Sequence, residues 1–373
     1  MNKVSVLHVV GTRPVGGIGT VLKQYSKHID HERYMLSFVF SKTNSNNNFD
    51  QFVRKCGARV YALPNFRKHP FSYLLAVIGF YLRNRKAIDI VHIHAPNVGL
   101  LDALCARLFG IKSIVIHSHS SSSSLSRYKA LRNRLLFDLT LKTTRHYVAC
   151  NYSSGKFLYG DRDFTIVRNP ISLQDYLPIG DDERNMIRSE IGLSTTDIAA
   201  VHIGYFDAIK NQSFLIEVWR KISQTDLGSR YKLFFIGDGA ERIKCEELAK
   251  KCGLSSRIIF LGYRTDIGRL LNAFDVFLLP SLTEGAPLTV IEAQANGLPC
   301  LISNQVPKDI KSSSNLKFLD VLSPYGVEEW EKELLKLPKR ETSREEICTS
   351  MAEYDISAVI QNLSNYYQKI CSM

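Results

Sequence analysis

The sequence predicts an α/β protein built from two doubly wound parallel sheets, one in each of two domains. Apolar runs of strand length alternate with segments of helical periodicity along almost the whole chain. Such alternation is typical of β–α–β units, which place helices on both faces of a parallel sheet. The 373 residues suffice for two domains of ordinary size. We expect the first domain over residues 1–170, the second over 171–355, and a final helical segment over 356–373.

The first half contains five apolar runs that predict strands and four segments with helical periodicity. The predicted strands are Val4–Val10, Asp89–His94, Lys112–His117, Tyr147–Cys150 and Phe164–Val167, and the predicted helices are Thr20–Ile29, Lys68–Lys86, Leu100–Phe109 and Leu125–Tyr147. A glycine-rich turn, residues 11–19, joins the first strand to the first helix. Gly16 and Gly17 would let a backbone approach a phosphate or a sugar closely, although proteins of many functions share such a turn. Asn44–Asn48 and Ser120–Ser124 have the composition of loops.

The second half repeats the pattern. The predicted strands are Ala199–Gly204, Tyr231–Ile236, Ile258–Leu261 and Val276–Leu279, and the predicted helices are Asn211–Ile222, Ala240–Cys252, Asp266–Ala273 and Ile356–Ile370. A further helix follows the last of these strands after a short loop. Pro287 suits its first helical position, since the missing N–H is not needed there, and Gly297 is placed to end it in the left-handed conformation.

Two carboxylates flank the start of this helix. Glu284 lies in the loop and Glu292 follows eight positions later, inside the helix. In open α/β sheets, ligands bind where strands end and helices begin, and the free N–H groups of a helix start favour phosphate. Because carboxylates accept paired hydrogen bonds from vicinal hydroxyls, the arrangement suits a sugar or ribose beside a diphosphate. The alternative is an exposed loop glutamate and an ordinary glutamate on a helix surface.

The net charge of +12 is placed unevenly. Residues 1–170 carry 25 Lys and Arg against 8 Asp and Glu, whereas the remainder carries 23 against 28. The first half therefore favours an anionic surface or polymer, either membrane headgroups or nucleic acid. The predicted helix Leu125–Tyr147 combines an apolar stripe with several arginines, so it would rest on anionic lipid or lie as a solvated surface helix.

Other features of the composition restrict the class of protein. The eight cysteines are scattered, with no metal-binding spacing, and indicate free thiols in a reducing compartment. We expect no signal peptide, and the longest apolar run, Phe71–Leu82, is too short to span a bilayer. Asp161-Arg162-Asp163 has the D-x-D form of some metal sites, but it does not follow a strand and we interpret it as a surface turn.

The segment SLTEGAPLTVIEAQANGLP, residues 281–299, closely resembles the E-x7-E signature of the retaining nucleotide-sugar glycosyltransferases of GT-B type. It is most similar to the branch, glycosyltransferase family four, that builds capsule, exopolysaccharide and O-antigen chains. The resemblance implies two Rossmann-like domains facing across a cleft, with the last helix crossing back to the first domain. It also implies that Glu292 holds the donor ribose and that Glu284 touches the donor sugar. Gly285, Ala286, Pro287 and Leu288 then line the donor site.

A second motif is similar to the family pattern G-R-x-x-x-x-K-N, whose Arg and Lys neutralise the donor diphosphate. This chain keeps Lys210 but has Tyr205 where the arginine is expected. A phenol donates a hydrogen bond but no charge, so either diphosphate stabilisation is weaker or another arginine substitutes, with Arg264 the candidate. Gly237, at the turn after the strand Tyr231–Ile236, completes the predicted donor contacts.

In the first domain the family resemblance implies that Gly16 and Gly17 line the cleft and that a histidine at a strand end faces the donor sugar. His117 and His119 both fit, and we favour His119 from its position in H-S-H-S. A structural role is the alternative for either, and His94 suits packing or loop orientation. The predicted catalytic residues are therefore His119, Lys210 and Glu284.

The expected activity is transfer of a hexosyl or N-acetylhexosaminyl unit, with retention, from a nucleoside-diphosphate sugar, UDP-linked, to a polyprenyl-diphosphate-linked oligosaccharide. The expectation includes no cofactor, no metal and no nucleic-acid partner, and a cytoplasmic protein held peripherally on the inner face of the membrane. Two alternatives stay open. Gly11-Thr12-Arg13-Pro14 resembles the opening of UDP-GlcNAc 2-epimerases, and Tyr205 would fit a catalytically inactive partner subunit.

Overall fold

Two parallel sheets organise the chain, one in each of two units of the computed structural model. The structure describes residues 3–14, 16–42, 48–121, 127–226, 228–336 and 340–372. The N-terminal unit comprises Met1–Pro170 with Ile356–Met373, and the C-terminal unit comprises Ile171–Asp355. The sheets confirm the predicted fold class of two doubly wound α/β domains.

The sheet of the N-terminal unit has seven strands in the order β3-β2-β1-β4-β5-β6-β7, and all their pairings are parallel. The strands are β1 (Val4–Thr12), β2 (Tyr34–Ser41), β3 (Arg59–Leu63), β4 (Ile90–Ile93), β5 (Ser113–Ser118), β6 (His146–Ala149) and β7 (Thr165–Ile166). The sequence pattern missed β2 and β3. Strand order reverses between β1 and β4, so their carboxyl ends form the switch point at which such sheets bind ligands.

Helices connect these strands and cover both faces of the sheet. They are α1 (Gly16–His28), α2 (Phe49–Lys55), α3 (Pro70–Asn84), α4 (Leu100–Leu108), α5 (Arg127–Leu141), α6 (Tyr152–Tyr159) and the terminal α14 (Ile356–Cys371). The last of these buries Val359, Leu363 and Tyr367 and packs beside α1. Tyr34 donates a hydrogen bond to the carbonyl of Ser364, which ties the terminal helix to β2.

The C-terminal unit contains a six-stranded parallel sheet in the order β10-β9-β8-β11-β12-β13. Its strands are β8 (Ile198–Ile203), β9 (Tyr231–Ile236), β10 (Ile258–Gly262), β11 (Val276–Leu279), β12 (Cys300–Ser303) and β13 (Leu316–Leu319). Its helices are α7 (Asp181–Glu190), α8 (Gln212–Ile222), α9 (Arg242–Lys251), α10 (Ile267–Leu271), α11 (Leu288–Ala295), α12 (Gly326–Leu334) and α13 (Arg344–Met351). Trp219 and Trp330 are buried in the core between α8, α12 and the sheet.

Three predicted boundaries were wrong. The first helix begins at Gly16 and not at Thr20, so the glycines form its first turn. The helix predicted over Leu125–Tyr147 ends at Leu141, because the next strand already begins at His146. Pro287 is the N-cap of α11, with extended backbone, and the helix begins one residue later. Gly297 follows that helix with φ of 73°, in the left-handed conformation that the sequence predicted.

Some expectations concern the chain as a whole. All eight cysteines lie in described segments and are free thiols. No helix among the described residues is long and apolar enough to cross a bilayer. Asn44–Asn47, Ser122–Ser124 and Leu125, which the sequence assigned to loops and to a helix start, lie outside the described residues.

Candidate active site

The candidate site of the C-terminal unit lies at the switch point of its sheet. β8 and β11 are neighbours there, and the chain leaves their carboxyl ends through two turns, residues 204–211 and 280–287. The backbone N–H of Leu282 donates to the carbonyl of Ile209 at 2.8 Å. The side-chain amide of Asn211 donates to the carbonyl of Pro280 at 3.3 Å. These bonds hold the two predicted motifs side by side.

The predicted cation and the predicted loop carboxylate meet within this pair of turns. Nζ of Lys210 lies 2.5 Å from Oε1 of Glu284, and both side chains are mostly buried, with 21% and 13% of their surface exposed. Oδ1 of Asp207 accepts from the N–H groups of Ile209 and Lys210, which fixes the turn that carries the lysine. The sequence placed both residues in the donor site, but it gave no sign that they form an ion pair.

Glu292 is buried on α11, where an ordinary helix-surface glutamate would be exposed. Burial raises the pKa of this carboxyl to about 7, although a hydrogen bond from Tyr176 opposes the shift. The phenol of Tyr176 donates to Oε1 of Glu292 at 3.0 Å. A buried carboxyl whose pKa is raised this far suits a functional role better than a structural one.

The loop before α11 presents the start of the helix beside Glu284. Leu288, at the first helical position, is buried, while Gly285 and Ala286 are partly exposed in the loop. The first backbone N–H groups of a helix lack partners within it, and the helix dipole makes this end attractive to phosphate. The predicted residues Gly285, Ala286, Pro287 and Leu288 therefore form one continuous edge between Glu284 and Glu292.

The remaining predicted donor contacts differ in their surroundings. Gly237 has φ of 139°, and a Cβ built there would lie 2.0 Å from the carbonyl oxygen of Gly204, so only glycine fits. The side chain of Tyr205 is 61% exposed. Arg264 forms a two-bond ion pair with Asp266, at 2.8 and 2.6 Å, so its charge is already partly balanced.

Sequence reasoning missed two residues of this site. Tyr176 comes from the segment that enters the C-terminal unit, and no spacing links it to Glu292, 116 positions later. His202 is fully buried at the end of β8, and its Nδ1–H donates to the carbonyl of Leu278 at 2.9 Å. Its Nε2 lies near Lys210 and has no hydrogen-bond partner among the described residues. The signal available in the sequence was a single histidine within an otherwise apolar strand.

In the N-terminal unit, the predicted residues lie at the carboxyl ends of β1 and β5. Gly16, with φ of 60°, and Gly17 are exposed in the first turn of α1. His117 is fully buried, whereas His119 is partly exposed and bonds through Nε2 to Nδ1 of His94 at 2.8 Å. Of the two histidines, only His119 is therefore within reach of a ligand in the structure as described.

Among the described residues, histidines on or directly after three neighbouring strands, β1, β4 and β5, form two groups that could hold a metal ion. Two sets of three have nitrogen atoms that lie within 4.8 Å of one another: His8, His92 and His94, and His94, His117 and His119. Burial lowers the pKa of each of these imidazoles, so all are neutral near pH 7, as metal ligation requires. Asp161 of the D-x-D sequence instead pairs with Lys156 at 3.0 Å on the surface.

Comparison with known proteins shows which family the chain resembles. Residues 15–174 match the family model described as Glycosyltransferase Family 4, and residues 183–346 match that of Glycosyl transferases group 1. EpsF of Bacillus subtilis (strain 168), named as a glycosyltransferase, is 28% identical over 378 residues, which cover 97% of this chain and 96% of EpsF.

Two further similarities extend over most of the chain. The UDP-Gal:alpha-D-GlcNAc-diphosphoundecaprenol alpha-1,3-galactosyltransferase of Escherichia coli is 25% identical over 81% of this chain and 80% of its own length. The crystal structure of Anabaena Alr3699/HepE in complex with UDP-glucose superposes with a TM-score of 0.79 at 15% identity, covering 98% of this chain and 99% of HepE. The chain therefore belongs to glycosyltransferase family 4 and has the GT-B fold.

Proposed function

We propose that the protein transfers a hexose or N-acetylhexosamine, with retention, from a UDP-sugar to a polyprenyl-diphosphate-linked oligosaccharide in exopolysaccharide, capsule or O-antigen synthesis. The observation that carries the proposal is the Lys210–Glu284 ion pair at the switch point of the C-terminal sheet, next in the chain to the helix that carries the buried Glu292. A lysine, two carboxyls and a helix start match the diphosphate, the ribose and the sugar of such a donor.

Each group has a distinct part in this proposal. The carboxylate of Glu292 accepts hydrogen bonds from the ribose hydroxyls, with Tyr176 holding its other oxygen. Lys210 and the first N–H groups of α11 bind the diphosphate, on which negative charge grows as the glycosidic bond breaks. Glu284, held by Lys210, accepts hydrogen bonds from the donor sugar, and His119 is the sugar-facing group of the N-terminal unit.

The named relatives support the choice of donor and acceptor. The Escherichia coli relative is named for a UDP-galactose donor and an acceptor on diphosphoundecaprenol. HepE was crystallised with UDP-glucose. Because Lys210 and the start of α11 offer N–H donors and positive charge to a diphosphate, we propose that no metal and no cofactor is needed, and activity should persist in excess EDTA.

We further propose that the outer layer α3–α4–α5 rests on an anionic membrane. α3 packs against α4 and α4 against α5, so their outward sides form one surface of the N-terminal unit. Large apolar side chains are exposed on it: Phe71, Leu75, Leu82, Leu104, Leu108, Tyr128, Leu131 and Leu135. Exposed cations lie among them, including Lys68, Arg83, Arg107, Lys129 and Arg132. Mixed apolar and basic surfaces of this kind bind anionic lipid.

The first experiment tests donor binding. Thermal unfolding of the purified protein is followed with UDP and with a series of UDP-sugars, because a ligand of the folded state raises the midpoint. We expect protection by UDP and stronger protection by one sugar. Glu292→Ala should remain folded and lose the protection. Unchanged protection in this variant would refute the assignment of the site.

The second experiment tests the reaction. The protein is incubated with the UDP-sugar that protects it best and with a polyprenyl-diphosphate oligosaccharide. NMR of the product reports the anomeric configuration of the new linkage. Formation of a retained glycosidic linkage supports the proposal. Binding without turnover would instead indicate an inactive partner subunit, and conversion of the UDP-sugar to its epimer without acceptor would indicate an isomerase.

A further inference from the structure

Two hydrogen-bonded rows of imidazoles cross the carboxyl end of the N-terminal sheet. In one row, Nδ1 of His8 lies 2.8 Å from Nε2 of His94, and Nδ1 of His94 lies 2.8 Å from Nε2 of His119. His8 lies on β1, His94 directly follows β4, and His119 directly follows β5. Because these three strands are parallel neighbours in the sheet, they bring the three rings into line. The first two are fully buried, and only His119 is partly exposed.

The second row packs against the first and holds it in place. It runs from the phenol of Tyr367, 2.6 Å from Nδ1 of His92, to His117, whose Nδ1 lies 3.1 Å from Nε2 of His92. The rings stack between the rows, with centroids 4.3 Å apart for His92 and His94 and 4.0 Å apart for His117 and His119. Rotation of a single imidazole would therefore break both a hydrogen bond and a stacking contact.

The number of protons in the first row limits the direction in which its hydrogen bonds can run. Three neutral imidazoles carry three N–H groups, and the two N–H···N bonds use two of them. The third proton must lie at one end of the row, on Nε2 of His8 or on Nδ1 of His119. Nε2 of His8 is buried and has no partner, whereas Nδ1 of His119 is not among the buried unpartnered atoms of the described residues.

An N–H group buried without an acceptor is rarer in folded proteins than an acceptor buried without a donor. The third proton therefore belongs on His119, and the N–H groups of His8 and His94 both point toward it. Burial lowers the pKa of His8 to about 3 and that of His119 to about 4, and lowers that of His94 strongly, so the row stays neutral near pH 7.

We propose that His94 is a positioning residue that donates from Nδ1 to Nε2 of His119 and fixes His119 as the Nδ1–H tautomer. The group that His119 presents to a ligand is then a hydrogen-bond donor with fixed direction, suited to a sugar hydroxyl oxygen and unable to act as a base. The identity of the ligand rests on the proposed function, but the tautomer does not.

The test is ¹⁵N NMR of the full chain labelled at histidine, at pH 7 and without substrate, because ring nitrogen shifts distinguish N–H from bare nitrogen. We expect Nδ1 of His119 to carry the proton and Nε2 to be a hydrogen-bonded acceptor. A proton on Nε2, or on both nitrogens, would overturn the proposal. Since no turnover is measured, a failure of the transferase assignment leaves this result intact.

Two substitutions at one position separate positioning from packing. His94→Asn keeps an amide donor near the place of Nδ1, whereas His94→Leu fills the space without a donor. We expect the Nδ1–H tautomer of His119 to persist in His94→Asn and to be lost in His94→Leu. If the chain is an active transferase, kcat/KM should fall about tenfold in His94→Leu and recover mostly in His94→Asn. Equal tautomers in both variants would contradict the proposal.

The same histidines could instead form a metal centre, and one measurement separates the two roles. The protein is dialysed against Zn²⁺, and bound metal is counted in wild type and in His117→Ala. The hydrogen-bonded row predicts no stoichiometric uptake. One tightly bound Zn²⁺ per chain, lost in His117→Ala, would show that His94, His117 and His119 ligate metal and that the proposal is wrong.

Discussion

The ammonium of Lys210 lies 2.5 Å from the carboxylate of Glu284, although the two residues are 74 positions apart in the sequence. Each side chain therefore orients the other within the candidate donor site. The opposite charges of the two side chains also balance each other in a mostly buried position. In the proposed function, the ammonium of Lys210 has three N–H groups, so it can donate to a phosphate and still keep its carboxylate partner.

The first prediction concerns this ion pair. Lys210→Met should lower turnover by about 10²–10³-fold, because the variant loses a fixed cation where negative charge develops. It should also destabilise the fold by about 1–3 kcal/mol, since Glu284 loses this counter-charge while mostly buried. Urea unfolding of Lys210→Met, Glu284→Gln and the double variant should give a coupling energy of about 1–2 kcal/mol. The exposed pair Lys221 and Glu328 serves as control and should couple by less than about 1 kcal/mol.

The second prediction is a pH dependence of stability caused by Glu292. The pKa of this carboxyl is raised from 4.5 to about 7 in the folded protein. Its contribution to stability is therefore complete below about pH 4.5, declines as the pH rises toward 7, and stays lost above that. Glu292→Gln removes the ionisation, so the variant should gain stability relative to wild type as the pH rises, by about 3 kcal/mol at pH 8.

Urea unfolding at several pH values between 5 and 8 measures this difference. Glu247→Gln, at an exposed glutamate of α9, is the matched control and should show a difference that does not change with pH. A Glu292→Gln difference that is equally flat would contradict the raised pKa.

The third prediction concerns Tyr176, which the sequence did not single out. Its hydroxyl donates to Glu292 and favours the ionised carboxylate, so it opposes the rise of the Glu292 pKa. Tyr176→Phe should raise that pKa further and weaken UDP binding at pH 7 by about fivefold, the effect of one lost hydrogen bond. Titration calorimetry with UDP at pH 6, 7 and 8 measures both effects. The exposed Tyr325→Phe should change neither, and a Tyr176→Phe variant with wild-type affinity at all three pH values would argue against the contact.

The fourth prediction concerns Gly237. Any Cβ at this position would lie 2.0 Å from the carbonyl oxygen of Gly204, the residue that opens the turn carrying Lys210. The positive φ adds strain, so Gly237→Ala should cost about 2–4 kcal/mol and displace the turn. Thermal unfolding measures the loss of stability, and protection by UDP should fall with it. Gly180→Ala, where a Cβ meets nothing within 4 Å, should leave both unchanged.

The fifth prediction concerns the outer layer α3–α4–α5. Co-sedimentation with vesicles of phosphatidylcholine and phosphatidylglycerol should capture the wild type and weaken as salt is added. Phe71→Ser with Leu75→Ser should reduce capture, because both apolar side chains are exposed on α3. Replacing Lys129, Arg132 and Arg134 by Gln should reduce it only for anionic vesicles. Ile243→Ser, at an exposed apolar residue of the C-terminal unit, is the control. Capture of all variants equally would exclude this surface as the membrane contact.

The sequence by itself determined the fold class and the positions of the two motifs at strand ends. Alternation of apolar strands with amphipathic helices requires parallel sheets covered on both faces, and this follows from local periodicity. The sequence analysis missed four strands, β2, β3, β12 and β13. It also extended the helix after β5 to Tyr147, because local apolar composition does not mark where a chain changes from helix to strand.

Only the tertiary structure decided which side chains meet. Strand order in the sheet brings β8 beside β11 and β1 beside β4, although long stretches of chain separate them. The Lys210–Glu284 ion pair and the row of His8, His94 and His119 depend on that order. The Tyr176–Glu292 hydrogen bond depends on the packing of the segment before α7 against α11. Burial, which sets the pKa of Glu292 and of the histidines, also belongs to the folded chain, because it is a property of the neighbours that packing supplies.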